Sequence, residues 1–105
     1  MEEFSATRLH EYLQAGHTPR LLDVREPWEF ATCHIEGSEL IPMREVQNAL
    51  NELDKNEEIV VICHHGIRSR VIARMLEQVG FTRVINLSTG VDGWAKEVDP
   101  DMPTY

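Results

Sequence analysis

Residues 60–70, VVICHHGIRSR, concentrate the side chains able to do covalent chemistry. Cys63 ends a run of β-branched residues, His64 and His65 follow it, Gly66 breaks the run, and Arg68 and Arg70 flank Ser69 on the far side. A thiol between a buried strand and the start of a helix sits where backbone amides gather. If those amides point inward they form an anion-binding nest, reinforced by the positive end of the helix. A sulfur anion is favoured in such surroundings. Gly66 supplies the backbone freedom that the tight turn needs. Arg68, permanently charged, can fork two donors onto an oxyanion at the lip of the loop. His64 and His65 are each candidates for a proton donor or a thiolate partner, or act only to shape the pocket. Cys63, His64, His65, Gly66, Ile67, Arg68 and Ser69 thus predict a nucleophilic thiolate with its own anion receptor. A cysteine ending an apolar strand is by itself more often a packing residue; the Gly–Arg–helix context argues for chemistry.

A second pair, Cys33-His34, echoes Cys63-His64. Structural zinc sites use spacings such as C-x2-4-C and H-x3-5-H, which two adjacent Cys-His pairs do not supply, so no metal is expected. Cys33 is expected to pack, and His34 to hydrogen-bond and hold the turn before Gly37.

The elements that must position these groups follow from the apolar pattern. RLLDV (20–24), ELIPM (39–43), EEIVVIC (57–63) and TRVINL (82–87) are continuous rather than alternating, as in strands covered on both faces. Between them lie helix signals. Ser5 or Thr7 caps a helix through about Ala15 that stops at Gly16. Pro27 opens PWEFATC. Met43, Val46, Leu50 and Leu53 share a face after Pro42. Ser69 caps RVIARMLEQVG, and Thr89 opens GVDGWAKEV. The closing DPDMPTY reads as a tail. Alternating strands and helices imply an α/β fold with a mostly parallel sheet.

At 105 residues, of which 42% are apolar, residues 1–105 are expected to form one domain with a real core. Ten basic against 18 acidic residues give a net charge of −8. That surplus argues against nucleic acid and anionic membrane surfaces as partners. Any anionic substrate must be attracted locally. No signal-peptide pattern opens the chain, and no apolar run approaches the ~18 residues of a membrane span. Two cysteines without an export signal read as reduced thiols in a cytoplasm rather than as a disulfide.

Four stretches together resemble the rhodanese-like family of sulfurtransferases, over nearly the whole chain. LLDVRE (21–26) is similar to the family's first long strand with its Asp-Val-Arg ending. FATCHIEGS (30–38) resembles its aromatic-then-His-Ile-x-Gly signature. CHHGIRS (63–69) resembles its six-residue active-site loop from Cys63 to Arg68, and LSTGVDGW (87–94) its closing Gly-x-x-x-W segment. The resemblance implies a three-layer α/β/α domain with a mostly parallel sheet of four or five strands, and a persulfide on Cys63. In that chemistry the sulfur passes from a donor such as thiosulfate to cyanide or a thiol acceptor, with no metal or organic cofactor. The partners implied are a small sulfur-containing anion, a thiophilic acceptor and a sulfur-accepting protein. Arg68 would hold the donor's oxyanion end, while Asp23, Arg25 and His34 would support the loop. Two positions depart from the family pattern: His64 stands where thiosulfate-preferring members carry a basic residue, and Cys33 where glycine is usual. Phosphate-hydrolysing relatives place the arginine six positions after the cysteine; the step of five here makes a tighter cradle. The alternative reading is a module that binds partners or senses sulfur or redox state without turnover.

Overall fold

The computed structural model describes all 105 residues. Strands β1 (Glu2–Phe4), β2 (Arg20–Asp23), β3 (Glu39–Leu40), β4 (Ile59–Ile62) and β5 (Val84–Leu87) form one sheet in the order β1-β5-β4-β2-β3, parallel at every pairing. Helices α1 (Ala6–Gln14), α2 (Pro27–Thr32), α3 (Ile67–Gln78) and α4 (Gly90–Glu97) connect them. β4 is the central strand, and Ile59, Val60, Val61 and Ile62 are all fully buried.

The pleat sends alternate residues of these strands to opposite faces. Leu21, Val60, Ile62, Ile85 and Leu87 pack under α1 and α4, against Ala6, Leu9, Val91 and Trp94. Leu22, Ile59, Val61, Cys63 and Val84 face α3, against Ile72, Ala73 and Leu76. This is the three-layer arrangement that uninterrupted apolar strands require. No helix is long and apolar enough to cross a membrane.

The first helix follows its sequence signals: the Ser5 side chain accepts from the Arg8 amide, and Gly16 beyond its end has φ of +98°. Pro27 stands in the first turn of α2, and Glu26 and Glu29 close a capping box around it. Three elements differ from expectation. The polar strand β1 has only Phe4 buried, so no apolar run announced it. Residues 43–52 form two short 3₁₀ segments, Met43–Glu45 and Gln47–Glu52, rather than an α-helix. Their hydrogen bonds span three residues, as in Ala49 to Val46 and Leu53 to Leu50, and burial of Val46 and Leu53 holds them to the core. Finally, α3 begins two residues before Ser69, with Gly66 in the capping position at φ of +91°.

Gly66 is needed for space as well as for its dihedral angle. A Cβ there would lie 2.1 Å from the Ser88 carbonyl oxygen, and one on Gly90 (φ +62°) 2.2 Å from that of His64. The loop after β4 and the turn after β5 therefore meet backbone to backbone. A Gly66→Ala variant is expected to lose at least about 2 kcal/mol, from the left-handed backbone and the contact together. Its thermal unfolding transition should stay single and move down; an unchanged midpoint would show that loop and turn separate freely.

Candidate active site

Cys63 lies just beyond the carboxyl end of the central strand, where parallel α/β sheets present their ligand sites. Its own carbonyl accepts from Val91 N at 2.9 Å and that of His64 from Asp92 N at 3.1 Å. These bonds turn the loop's carbonyls toward the first amides of α4. The amides on its other side turn inward: Gly66 N donates to Cys63 Sγ at 3.1 Å and Ser69 N at 3.3 Å. The first-turn N–H groups of a helix have no partner within the helix, and Gly66 has no side chain with which to cap them. The sulfur takes the place of a capping oxygen.

Ser69, expected as the helix cap, instead sits in the first turn, fully buried with its hydroxyl 3.3 Å from Cys63 Sγ. The same hydroxyl donates to Asn86 Oδ1, and Asn86 Nδ2 donates to the Gly66 carbonyl at 3.1 Å and to Glu3 Oε1 at 2.8 Å. A buried polar network thus backs the loop. Cys63 is only 1% exposed, and Leu22, Val24 and Ile72 belong to the apolar cluster that it joins. The sulfur is therefore enclosed by hydrocarbon on one side and by aimed dipoles on the other.

Arg68 does not stand free at the lip. Its two terminal nitrogens reach Glu29 Oε1 at 2.8 Å and Oε2 at 2.9 Å. Glu29, 4% exposed, also accepts from Glu26 N at 2.9 Å and from the Tyr105 hydroxyl at 2.7 Å. The Arg68 fork, against the opposing effect of burial, holds the Glu29 carboxyl down from 4.5 to about 2. Removal of Arg68 would strand a buried carboxylate, so the arginine has a structural role beside any contact with substrate.

Asp23 and Arg25 are both fully buried and grip one another, Arg25 Nη2 lying 2.8 Å from Asp23 Oδ2. Arg25 also donates to the carbonyls of Glu29 at 3.3 Å and Cys33 at 2.6 Å, and to the Tyr105 hydroxyl at 2.9 Å. The pair braces α2 rather than the 63–68 loop itself, and reaches that loop only through Glu29 and Tyr105. His34 Nδ1 lies 2.9 Å from the Phe30 carbonyl, with its ring stacked on that of Phe30 at 4.0 Å, at the end of α2. Cys33 packs in the cluster under α1 and α4, on the opposite side of the sheet from Cys63, and both thiols are free.

Neither histidine ring bonds to the sulfur. His64 stacks on Tyr105 at 4.0 Å and tilts against His65 at 3.9 Å. Burial, with the neighbouring His65, pushes His64 below its usual value. His65 is more exposed, with Nδ1 3.7 Å from Asp92 Oδ2. Ile67 is 68% exposed on the rim. Glu29, Asn86 and Tyr105 escaped the sequence reading. Asn86 had a signal, an amide inside an otherwise apolar strand, and Glu29 had one in its spacing from Glu26. Tyr105 had none. The segment read as a tail buries Met102 and brings the Tyr105 hydroxyl between Arg25 and Glu29.

With this geometry in place, the rhodanese-like domain family matches residues 5–97. The chain belongs to the rhodanese-like sulfurtransferase family. It is 37% identical over 97 residues to YrkF of Bacillus subtilis (strain 168), covering 92% of this chain but 52% of that protein. It is 33% identical over 85 residues to the thiosulfate sulfurtransferase GlpE of Actinobacillus pleuropneumoniae serotype 3 (strain JL03), covering 81% of this chain and 79% of GlpE. Among solved structures, the rhodanese-like domain protein of Staphylococcus aureus superposes with a TM-score of 0.85 at 30% identity, over 93% of this chain and 95% of that one. The rhodanese-like chain thus spans about half the length of YrkF and most of GlpE.

The Glu29 shift has a consequence for stability. Its value in the fold lies below the ordinary one, so the Glu29–Arg68 pair stabilises fully above about pH 4.5 and is lost as pH falls toward 2. Glu29→Gln is expected to lower the melting temperature at pH 7 by several degrees, and the gap from wild type should close between pH 4.5 and 2. A gap of constant size across that range would show that the carboxylate's charge is immaterial.

Proposed function

We propose that this rhodanese-like chain moves sulfane sulfur through a persulfide on Cys63. The observation that carries the reading is the pair of amides, Gly66 N and Ser69 N, aimed at Cys63 Sγ. The Cys63 thiolate attacks the outer sulfur of a donor such as thiosulfate; the donor's S–S bond breaks and sulfite leaves with the electron pair. The terminal sulfur then passes to cyanide or to a thiol, free or carried on a protein. The loop amides stabilise negative charge on sulfur before and after transfer, without reorganisation. The Ser69 hydroxyl, 3.3 Å from Sγ, adds a third donor by rotating away from Asn86. The name of the relative GlpE supports the reaction class. Two free cysteines are consistent with work in a reducing cytoplasm.

The burial of Cys63 favours a second reading, a docking or sensing module without turnover. Intact-mass measurement after thiosulfate treatment separates the two. The transferase gains one sulfur atom, loses it on cyanide addition, and gains none as Cys63→Ala; Cys33→Ala still gains it. A chain that takes up no sulfur from any sulfane donor is the docking module. Ser69→Ala retains its backbone amide and loses only the hydroxyl, so loading should slow by about tenfold. An unchanged loading rate would restrict the anion receptor to the backbone.

A further inference from the structure

Residues 98–105, beyond α4, lie outside the stretch matched to the rhodanese-like family, and they run back to the mouth of the cysteine loop. Met102 anchors this segment in the apolar cluster under α1 and α4. After it, the backbone of residues 103–105 makes no hydrogen bond, and Pro103 has no N–H to offer. Pro103 and Thr104 form one wall of a crevice lined on its other side by His64, Val91 and Asp92. The hydrogen bonds that fix these last three residues all come from one side chain, that of Tyr105.

That side chain reaches both ends of the loop. Its ring lies flat on His64, the residue after Cys63, at 4.0 Å and 12°. Its hydroxyl donates to Glu29 Oε2 at 2.7 Å, the same oxygen that receives Arg68 Nη2 at 2.9 Å. It accepts in turn from Arg25 Nη1 at 2.9 Å, and Arg25 is fully buried and paired with Asp23. The two oxygens of Glu29 are not equivalent. Oε1 has Glu26 N as a backbone donor besides Arg68, whereas Oε2 has only the Tyr105 hydroxyl besides Arg68. Burial, with the bond to Glu29 and against the pull of Arg25, pushes the hydroxyl up to about 12, so it keeps its proton and remains a donor.

Resting on the transferase reading above, we propose that Tyr105 is a positioning residue for sulfur transfer, holding Arg68 through Glu29 and the His64 end of the loop through its ring. Without the hydroxyl, Oε2 would be bound by Arg68 alone, and the carboxylate would pivot about Oε1 and carry the guanidinium with it. The Arg68 N–H groups left to meet the donor's oxyanion end would then lose their fixed direction. Sγ would keep its amides, because Gly66 and Ser69 are held by the Ser88 backbone and by Asn86. The defect therefore falls on holding the donor and spares the thiolate.

The test compares the full chain with Tyr105→Phe, Tyr105→Ala and Thr104→Ala, the last altering the same segment without touching these partners. Turnover of thiosulfate with cyanide gives kcat and KM; polysulfide is the donor should thiosulfate fail to load the wild type. Alkylation of Cys63 by iodoacetamide, followed by peptide mass, reads the thiolate without an anionic donor. Tyr105→Phe, which keeps the ring and loses the hydroxyl, should raise KM by about tenfold and leave kcat and the alkylation rate within about twofold. Tyr105→Ala, which also uncovers His64, should raise KM at least as far, and Thr104→Ala should match the wild type. Should the alanine variant at 105 not fold, the phenylalanine variant decides. An unchanged KM in Tyr105→Phe overturns the positioning role and leaves the transferase standing. So does a loss of kcat and alkylation that follows a lowered melting temperature, which would make Tyr105 a strut. Faster turnover without the side chain would overturn it too, since the segment would then cover the site and not support it. A wild-type chain loaded by neither donor removes both readings.

Discussion

A helix needs something to accept from its first N–H groups, and in α3 that acceptor is the sulfur of Cys63. Gly66 occupies the capping position without a side chain of its own, so the amides of Gly66 and Ser69 converge on Sγ. Structure and chemistry share one interaction here. In the proposed reaction the dipoles that begin the helix would also receive negative charge on sulfur, held in place by folding rather than assembled on the way. Other features of the site follow from keeping that turn in position.

Two kinds of support do so. One is steric: Gly66 lies against Ser88 and Gly90 against the carbonyls of Cys63 and His64, at separations no Cβ would permit. The other is polar. Asn86 ties the Gly66 carbonyl to Ser69 and Glu3, and Glu29 ties Arg68 to α2 and Tyr105. Burying so many polar groups is tolerable only when each has partners, because an unpaired one costs about 1–3 kcal/mol. Here the partners link elements far apart in sequence, so the geometry at Cys63 depends on residues from Glu3 to Tyr105.

The frame of the fold was legible because it rests on local pattern. Four apolar runs became strands, Ser5 capped its helix, and Pro27 opened the next. The 43–53 segment misled because apolar spacing of three and four residues suits either helix type when tertiary burial dominates. In the site, the sequence pointed to Cys63, Gly66 and Ser69, since their arrangement is set within seven residues. It did not reveal the partner of Arg68. That pairing crosses 39 residues and needs the docked α2 to exist. Asp23 and Arg25 likewise read as props for the loop, whereas the fold turns them toward the end of α2. Tyr105 carries no local signal because its place is set wholly by what Arg25, Glu29 and His64 present to it.

In the proposed chemistry the backbone of the loop, acting through the amides of Gly66 and Ser69, receives the charge on sulfur. Amide nuclear magnetic resonance spectra recorded before and after Cys63 is converted to its persulfide read this residue by residue. The Gly66 and Ser69 amide protons are expected to shift furthest of any in the chain, since their acceptor has changed. Full conversion with both resonances unmoved, and the large changes elsewhere, would contradict it.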